Sequence, residues 1–121
     1  MPKPFRVMVV EDEFIIADEI AGIVVDAGHE VVGPFGSIED ATASLAEEDK
    51  PDLVILDANL RGKSSIPLAR KLRELGVRLC LCTGYRSDDL RSEFGDVAIL
   101  HKPVNARALM SLIERTLGNP S

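Results

Sequence analysis

Leu53-Val54-Ile55-Leu56-Asp57 is an unbroken apolar run that ends on an acid and follows Lys50-Pro51-Asp52. A strand with one wet face alternates apolar and polar residues, whereas a strand inside a parallel sheet is covered on both faces and reads as a continuous apolar run. The stretch is therefore a central parallel strand with Asp57 at its carboxyl end.

Upstream, Phe5 to Val10 is a second apolar run, closed by Glu11-Asp12-Glu13 and followed at helical spacing by Ile16, Ile20, Ile23 and Val24. Gly28 supplies a helix stop, Glu30 to Val32 a short strand and Gly33-Pro34 a break. Ser37 is an N-cap for a helix from Ile38 to Glu47, because its hydroxyl can accept from an otherwise orphaned amide. Downstream, Ser64 and Ser65 start a helix with Ile66, Leu68, Ala69 and Leu72 on its inner face, and Gly76 ends it. Val77 to Cys82 is a strand, Ser87-Asp88-Asp89 opens a short helix, Val97 to Leu100 is the last strand, and Asn105 caps a helix running to about Leu117.

Five strands and five helices in strict alternation predict an α/β fold, a parallel sheet with helices on both faces in three layers, because right-handed crossovers lay each helix against the sheet. The expectation is one domain over residues 1–121, with its core from about 5 to 117. A chain of 121 residues has no room for a separate effector module, so output is expected to pass through this domain's own surface.

The composition, 45% hydrophobic and 28% charged, is that of a folded protein, and a net charge of -6 disfavours nonspecific binding to nucleic acid or anionic membrane. Protein partners are the better expectation. The first apolar segment is too short for a signal-peptide core, and no stretch approaches the roughly 20 apolar residues of a membrane span, so the cytoplasm is the expected compartment. Cys80 and Cys82, two apart on a strand, share a face; a zinc site would need more ligands than His29 and His101 offer, so both read as small packed hydrophobes. The basic residues Arg61, Lys63, Arg70, Lys71, Arg73 and Arg78 read as a solvated face.

Ligands of open parallel sheets bind beyond the carboxyl ends of the strands. The residues that end the strands here are Glu11 and Asp12, then Asp57, Thr83, and Lys102 followed by Pro103. Carboxylates so close repel one another unless a cation joins them. Hard oxygen ligands favour Mg2+, which binds through one or two carboxylates and keeps other positions for water and a phosphoryl oxygen. The set suits in-line attack by a carboxylate on a phosphoryl group, with metal and ammonium neutralising its oxygens, and Asp57 is the best nucleophile.

The acidic pair Glu11-Asp12, the Leu53 to Asp57 strand, Thr83-Gly84 and Lys102-Pro103 together resemble the response-regulator receiver domains over nearly the whole chain. The resemblance implies a flavodoxin-like (βα)5 fold with strand order 2-1-3-4-5. It makes Asp57 the phosphoacceptor in a two-component phosphorelay, fed by a histidine kinase or a histidine phosphotransfer protein and read by a downstream protein target. It also implies that Asp12, Asp57 and the main-chain carbonyl of Asn59 ligate Mg2+, that Glu11 holds a metal-bound water, and that Lys102 pairs with the acyl phosphate. Thr83 would hydrogen-bond the phosphoryl group, and Pro103 would follow Lys102 through a cis peptide. Such a protein is a phosphoacceptor rather than an enzyme, at most assisting its own phosphorylation and dephosphorylation. One departure is Ile99, which stands where the family usually has an aromatic switch residue; Tyr85, just after Thr83-Gly84, resembles the reporter of an alphaproteobacterial single-domain subgroup.

Three competing readings are weaker. A degenerate receiver that binds partners without phosphorylation has only Ile99 in its favour. An aspartate-nucleophile phosphatase would want a second acid two residues after Asp57, where Asn59 stands. A flavin phosphate would be repelled by Glu11-Asp12-Glu13.

Overall fold

A computed structural model describes residues 4–60, 62–84 and 97–118. In chain order the elements are β1 (Arg6–Val10), α1 (Phe14–Asp26), β2 (Glu30–Phe35), α2 (Ile38–Glu47), β3 (Leu53–Asp57), α3 (Ile66–Glu74), β4 (Arg78–Thr83), β5 (Ala98–His101) and α4 (Ala106–Leu117). The five strands form one parallel sheet in the order β2-β1-β3-β4-β5, which is the expected 2-1-3-4-5 arrangement. The short helix expected at Ser87-Asp88-Asp89, together with Tyr85 and Arg61, lies outside the described residues.

Pleating divides each central strand between two cores. Val7, Val9, Leu53, Ile55, Cys80 and Cys82 point to the face covered by α1 and α4, where they meet Ile20, Val24, Leu109 and Ile113. Met8, Val10, Val54, Leu56, Leu79 and Leu81 point to the other face, against Ala41 and Leu45 of α2 and Leu68, Ala69 and Leu72 of α3. This is why Leu53 to Asp57 carries no polar alternation: every one of its residues is buried. The two cysteines share a face as expected, and burial pushes the Cys80 thiol up to about 12 and the Cys82 thiol up to about 11, so both stay protonated.

Helix starts follow their local chemistry. The Ser37 hydroxyl accepts from the Asp40 amide at 3.1 Å, and Asn105 Oδ1 accepts from the Ala108 amide at 3.0 Å. His29 is buried; its Nδ1 accepts from the Phe5 amide at 3.4 Å, and its ring lies 5.5 Å from that of Phe5, which makes it a structural residue.

The break expected at Gly33-Pro34 is instead a bulge inside β2, which continues to Phe35. Register runs Met8 to Val32 but Val10 to Phe35, so β2 carries one extra residue. Gly33 absorbs it at φ +98°, where an added Cβ would meet the Phe35 amide nitrogen at 2.8 Å and the Val9 carbonyl at 3.1 Å. Pro34 is tolerated because β2 is an edge strand and loses no interior ladder bond. The bulge lets the Phe35 carbonyl accept from the Glu11 amide at 2.9 Å, which fixes the point where the acidic cluster leaves the sheet. After Asp57 the chain forms a small hairpin in which Asn59–Leu60 pair antiparallel with Lys63–Ser64.

Candidate functional site

The carboxyl ends of β1, β3, β4 and β5 converge on a cleft of about 460 Å³ lined by Asp12, Glu13, Asp57, Asn59, Gly62, Thr83, Gly84 and Lys102. Of the residues singled out in the sequence, the structure brings Glu11, Asp12, Asp57, Asn59, Thr83 and Lys102 together here. Ile99 is apart from them, half-buried against the core on the α2 and α3 side.

Lys102 is the pivot of the charges. Its Nζ lies 2.8 Å from Glu11 Oε1 and 3.1 Å from Asp57 Oδ2, with only 18% of its side chain exposed. Its amide donates to the Thr83 carbonyl at 2.8 Å, tying the ends of β4 and β5 together, and the bond to Pro103 is cis as expected. The two carboxylates hold the ammonium firmly charged, raising its pKa despite burial. The pairing with Glu11 was not legible in the sequence, which pointed to Lys102 as a partner of the phosphoryl group alone.

Asp57 Oδ1 accepts from the Asn59 amide at 3.1 Å, so the carboxylate is oriented by its own loop. Glu11 Oε2 accepts from the Glu13 amide at 3.0 Å. Burial pushes the Glu11 carboxyl up to about 7; Lys102 and the Glu13 amide oppose that rise, and the charge of Asp57 adds to it.

Glu11, Asp12 and Asp57 each offer one oxygen, and these oxygens lie within 4.8 Å of one another. Lys102 reaches two of the three carboxylates, which leaves a negative excess in a site built of hard oxygens. That donor set fits a small divalent cation, and among the described residues neither cysteine nor histidine belongs to it. The apparent affinity for such a cation should be level above pH 7 and weaken as pH falls through about 7, when Glu11 takes up its proton. Calorimetric titrations between acid and alkaline pH would read the change, at most about tenfold per pH unit, and Glu11→Gln should flatten it.

A second groove of about 300 Å³ adjoins the cleft and is lined by Glu11, Asp12, Phe14, Ala17, Asp18, Pro34 and Gly36. It was not legible in the sequence. Phe14 and Ile15, at 83% and 75% exposure, stand beside it, and Val25 is 59% exposed farther along α1.

A sequence model of the response regulator receiver domain matches residues 7–114. The chain is 32% identical over 115 residues to the transcriptional regulatory protein PdtaR of Mycobacterium tuberculosis, covering 92% of this chain and 56% of that protein. It is also 32% identical over 121 residues to the aerobic respiration control protein ArcA of Escherichia coli, covering 93% and 50%. The chain thus spans about half the length of these curated relatives. Among solved structures, a CheY-like response regulator receiver domain protein from Methanospirillum hungatei superposes with a TM-score of 0.82 at 25% identity, covering 98% of this chain and 97% of that one. The PhyR receiver domain of Erythrobacter litoralis superposes with a TM-score of 0.83 at 25% identity, covering 94% and 90%.

Proposed function

The chain belongs to the response regulator receiver domains of two-component signalling, and from that premise we propose that Asp57 is its phosphoacceptor, in a domain that accounts for residues 1–121. The observation that carries the reading is the placement of Asp57 at the end of the central strand, within 3.1 Å of the Lys102 ammonium and among the oxygens of Glu11 and Asp12. Asp12, Asp57 and the Asn59 main-chain carbonyl would hold Mg2+, with Glu11 on a metal-bound water. The bound ion would supply positive charge to the phosphoryl oxygens during transfer.

An Asp57 carboxylate oxygen attacks phosphorus, the bond from phosphorus to the donor's imidazole nitrogen breaks, and the electron pair leaves with the imidazole. Asn59 holds the Asp57 carboxylate in place through its amide. Lys102 passes from Asp57 to a phosphoryl oxygen, and the Thr83 hydroxyl hydrogen-bonds that group. A two-state surface is thereby biased for a downstream protein to read. Intact-mass analysis with a small acyl phosphate tests this: uptake of one phosphoryl group only with Mg2+, mapped to Asp57, supports it, and metal-independent uptake elsewhere sinks it.

The phosphodonor, a histidine kinase or histidine phosphotransfer protein, docks on α1. Phe14, Asp18 and Val25 share its outer face, Gly22 between them has open space where a Cβ would stand, and the groove beside Phe14 leads to Asp12. The helix carries Asp18, Glu19 and Asp26 and no cation, so its partner brings apolar side chains flanked by Lys or Arg. Phe14→Ser with Ile15→Ser should slow transfer from the protein donor by about tenfold or more while leaving labelling by acetyl phosphate unchanged. Equal slowing with both donors would place the effect in the chemistry instead.

A further inference from the structure

Ser65 occupies the N-cap position of α3, yet its hydroxyl does not cap the helix. That task falls to Ser64, whose Oγ accepts from the Ile66 amide at 3.2 Å. Ser65 is instead fully buried and turned back toward the sheet: its Oγ donates to the main-chain carbonyl of Asp57 at 2.5 Å, and its amide donates to the carbonyl of Ala58 at 3.2 Å. One residue thus holds two successive carbonyls where β3 leaves the sheet.

The segment between these anchors contains Asn59, whose amide orients the Asp57 carboxylate and whose main chain pairs with Ser64. Asn59 Oδ1 accepts from the Gly62 amide at 2.9 Å, closing the hairpin on itself. Cutting the Ser65 to Asp57 bond would free the base of this hairpin and leave a buried carbonyl without that partner. The Asp57 carboxylate and the Asn59 carbonyl would then no longer be held in one fixed relation.

Resting on the assignment of Asp57 and Asn59 as metal ligands, we propose that Ser65 is a positioning residue of the acceptor site. Its hydroxyl clamps the Asp57 main chain and so presets the spacing of the two ligands on either side of Ala58. Hydrogen bonds behind metal ligands commonly change metal affinity by about 10- to 100-fold when removed.

The test is calorimetric Mg2+ titration of the unphosphorylated full chain, with urea unfolding in chelator alongside. Ser65→Ala should raise the apparent Mg2+ Kd about tenfold, whereas Ser64→Ala, which removes only the helix cap, should leave it unchanged. Ser65→Cys, similar in shape with a weaker donor, should fall between, and it carries the comparison if the alanine variant does not fold. Unchanged Mg2+ affinity in Ser65→Ala or Ser65→Cys with lowered urea stability would overturn the proposal and leave the hydroxyl a structural bond. This titration contains no phosphodonor and so does not depend on labelling; in the separate intact-mass experiment, wild type that binds Mg2+ but is not labelled at Asp57 would overturn the acceptor assignment and not the clamp.

Discussion

Asp57→Asn is expected to abolish Mg2+-dependent phosphoryl uptake, a loss of at least about a hundredfold in initial rate. The amide matches the carboxylate in shape, so the Asn59 amide can still donate to its oxygen, and the burial of β3 is undisturbed. What disappears is the nucleophile and one of three carboxylate oxygens that lie within 4.8 Å of one another. The same change costs Lys102 its 3.1 Å partner but leaves it paired with Glu11 at 2.8 Å, so relief of the carboxylate repulsion should outweigh that loss and stabilise the metal-free protein by about 1 kcal/mol. The substitution should also shrink the stabilisation that Mg2+ confers. Intact mass with acetyl phosphate reads the first effect, and urea midpoints with and without Mg2+ read the others. Residual labelling at another residue, or a variant less stable than wild type in chelator, would contradict the charge balance inferred for this cleft.

Lys102→Ala removes the ammonium that bridges Glu11 and Asp57. Labelling should slow by about a hundredfold, the typical effect of deleting one charge-stabilising donor from a transfer site. Stability should fall as well, by about 3 kcal/mol in chelator, because Glu11 would be left buried and unpaired. The sign of its pH dependence follows from Glu11, whose pKa already stands at about 7 and which Lys102 holds down. Without the ammonium it rises further, so the folded variant keeps a proton that the unfolded chain gives up above pH 4.5. Such a group costs stability as pH increases. The deficit against wild type should thus be larger at pH 8 than at pH 6, and urea unfolding at the two values checks it. An equal deficit at both would mean that packing of the lysine stem, not its charge, carries the effect.

By itself the sequence determined the order of strands and helices and the residues on which the strands end. Both are written in local patterns: Leu53 to Leu56 declares a strand covered on both faces, and Ser37 and Asn105 declare helix starts through bonds to amides three residues on. Because parallel strands all exit at one edge, knowing the strand ends was enough to gather Glu11, Asp12, Asp57, Thr83 and Lys102 at one place.

Tertiary structure decided everything that depends on how one segment meets another. Gly33-Pro34 reads locally as a break, and only pairing with β1 turns it into a bulge that seats Glu11 under the Phe35 carbonyl. Ser65 reads locally as a helix cap, and only the return of the hairpin brings its hydroxyl to Asp57. The sharing of Lys102 between two carboxylates, and the height to which burial lifts Glu11, depend on distances and solvent exclusion across three strand ends. Local patterns record backbone preference and one-sided apolarity, whereas pair distances and desolvation arise only when remote segments close over one another, so the sequence located the site and the fold set its charges.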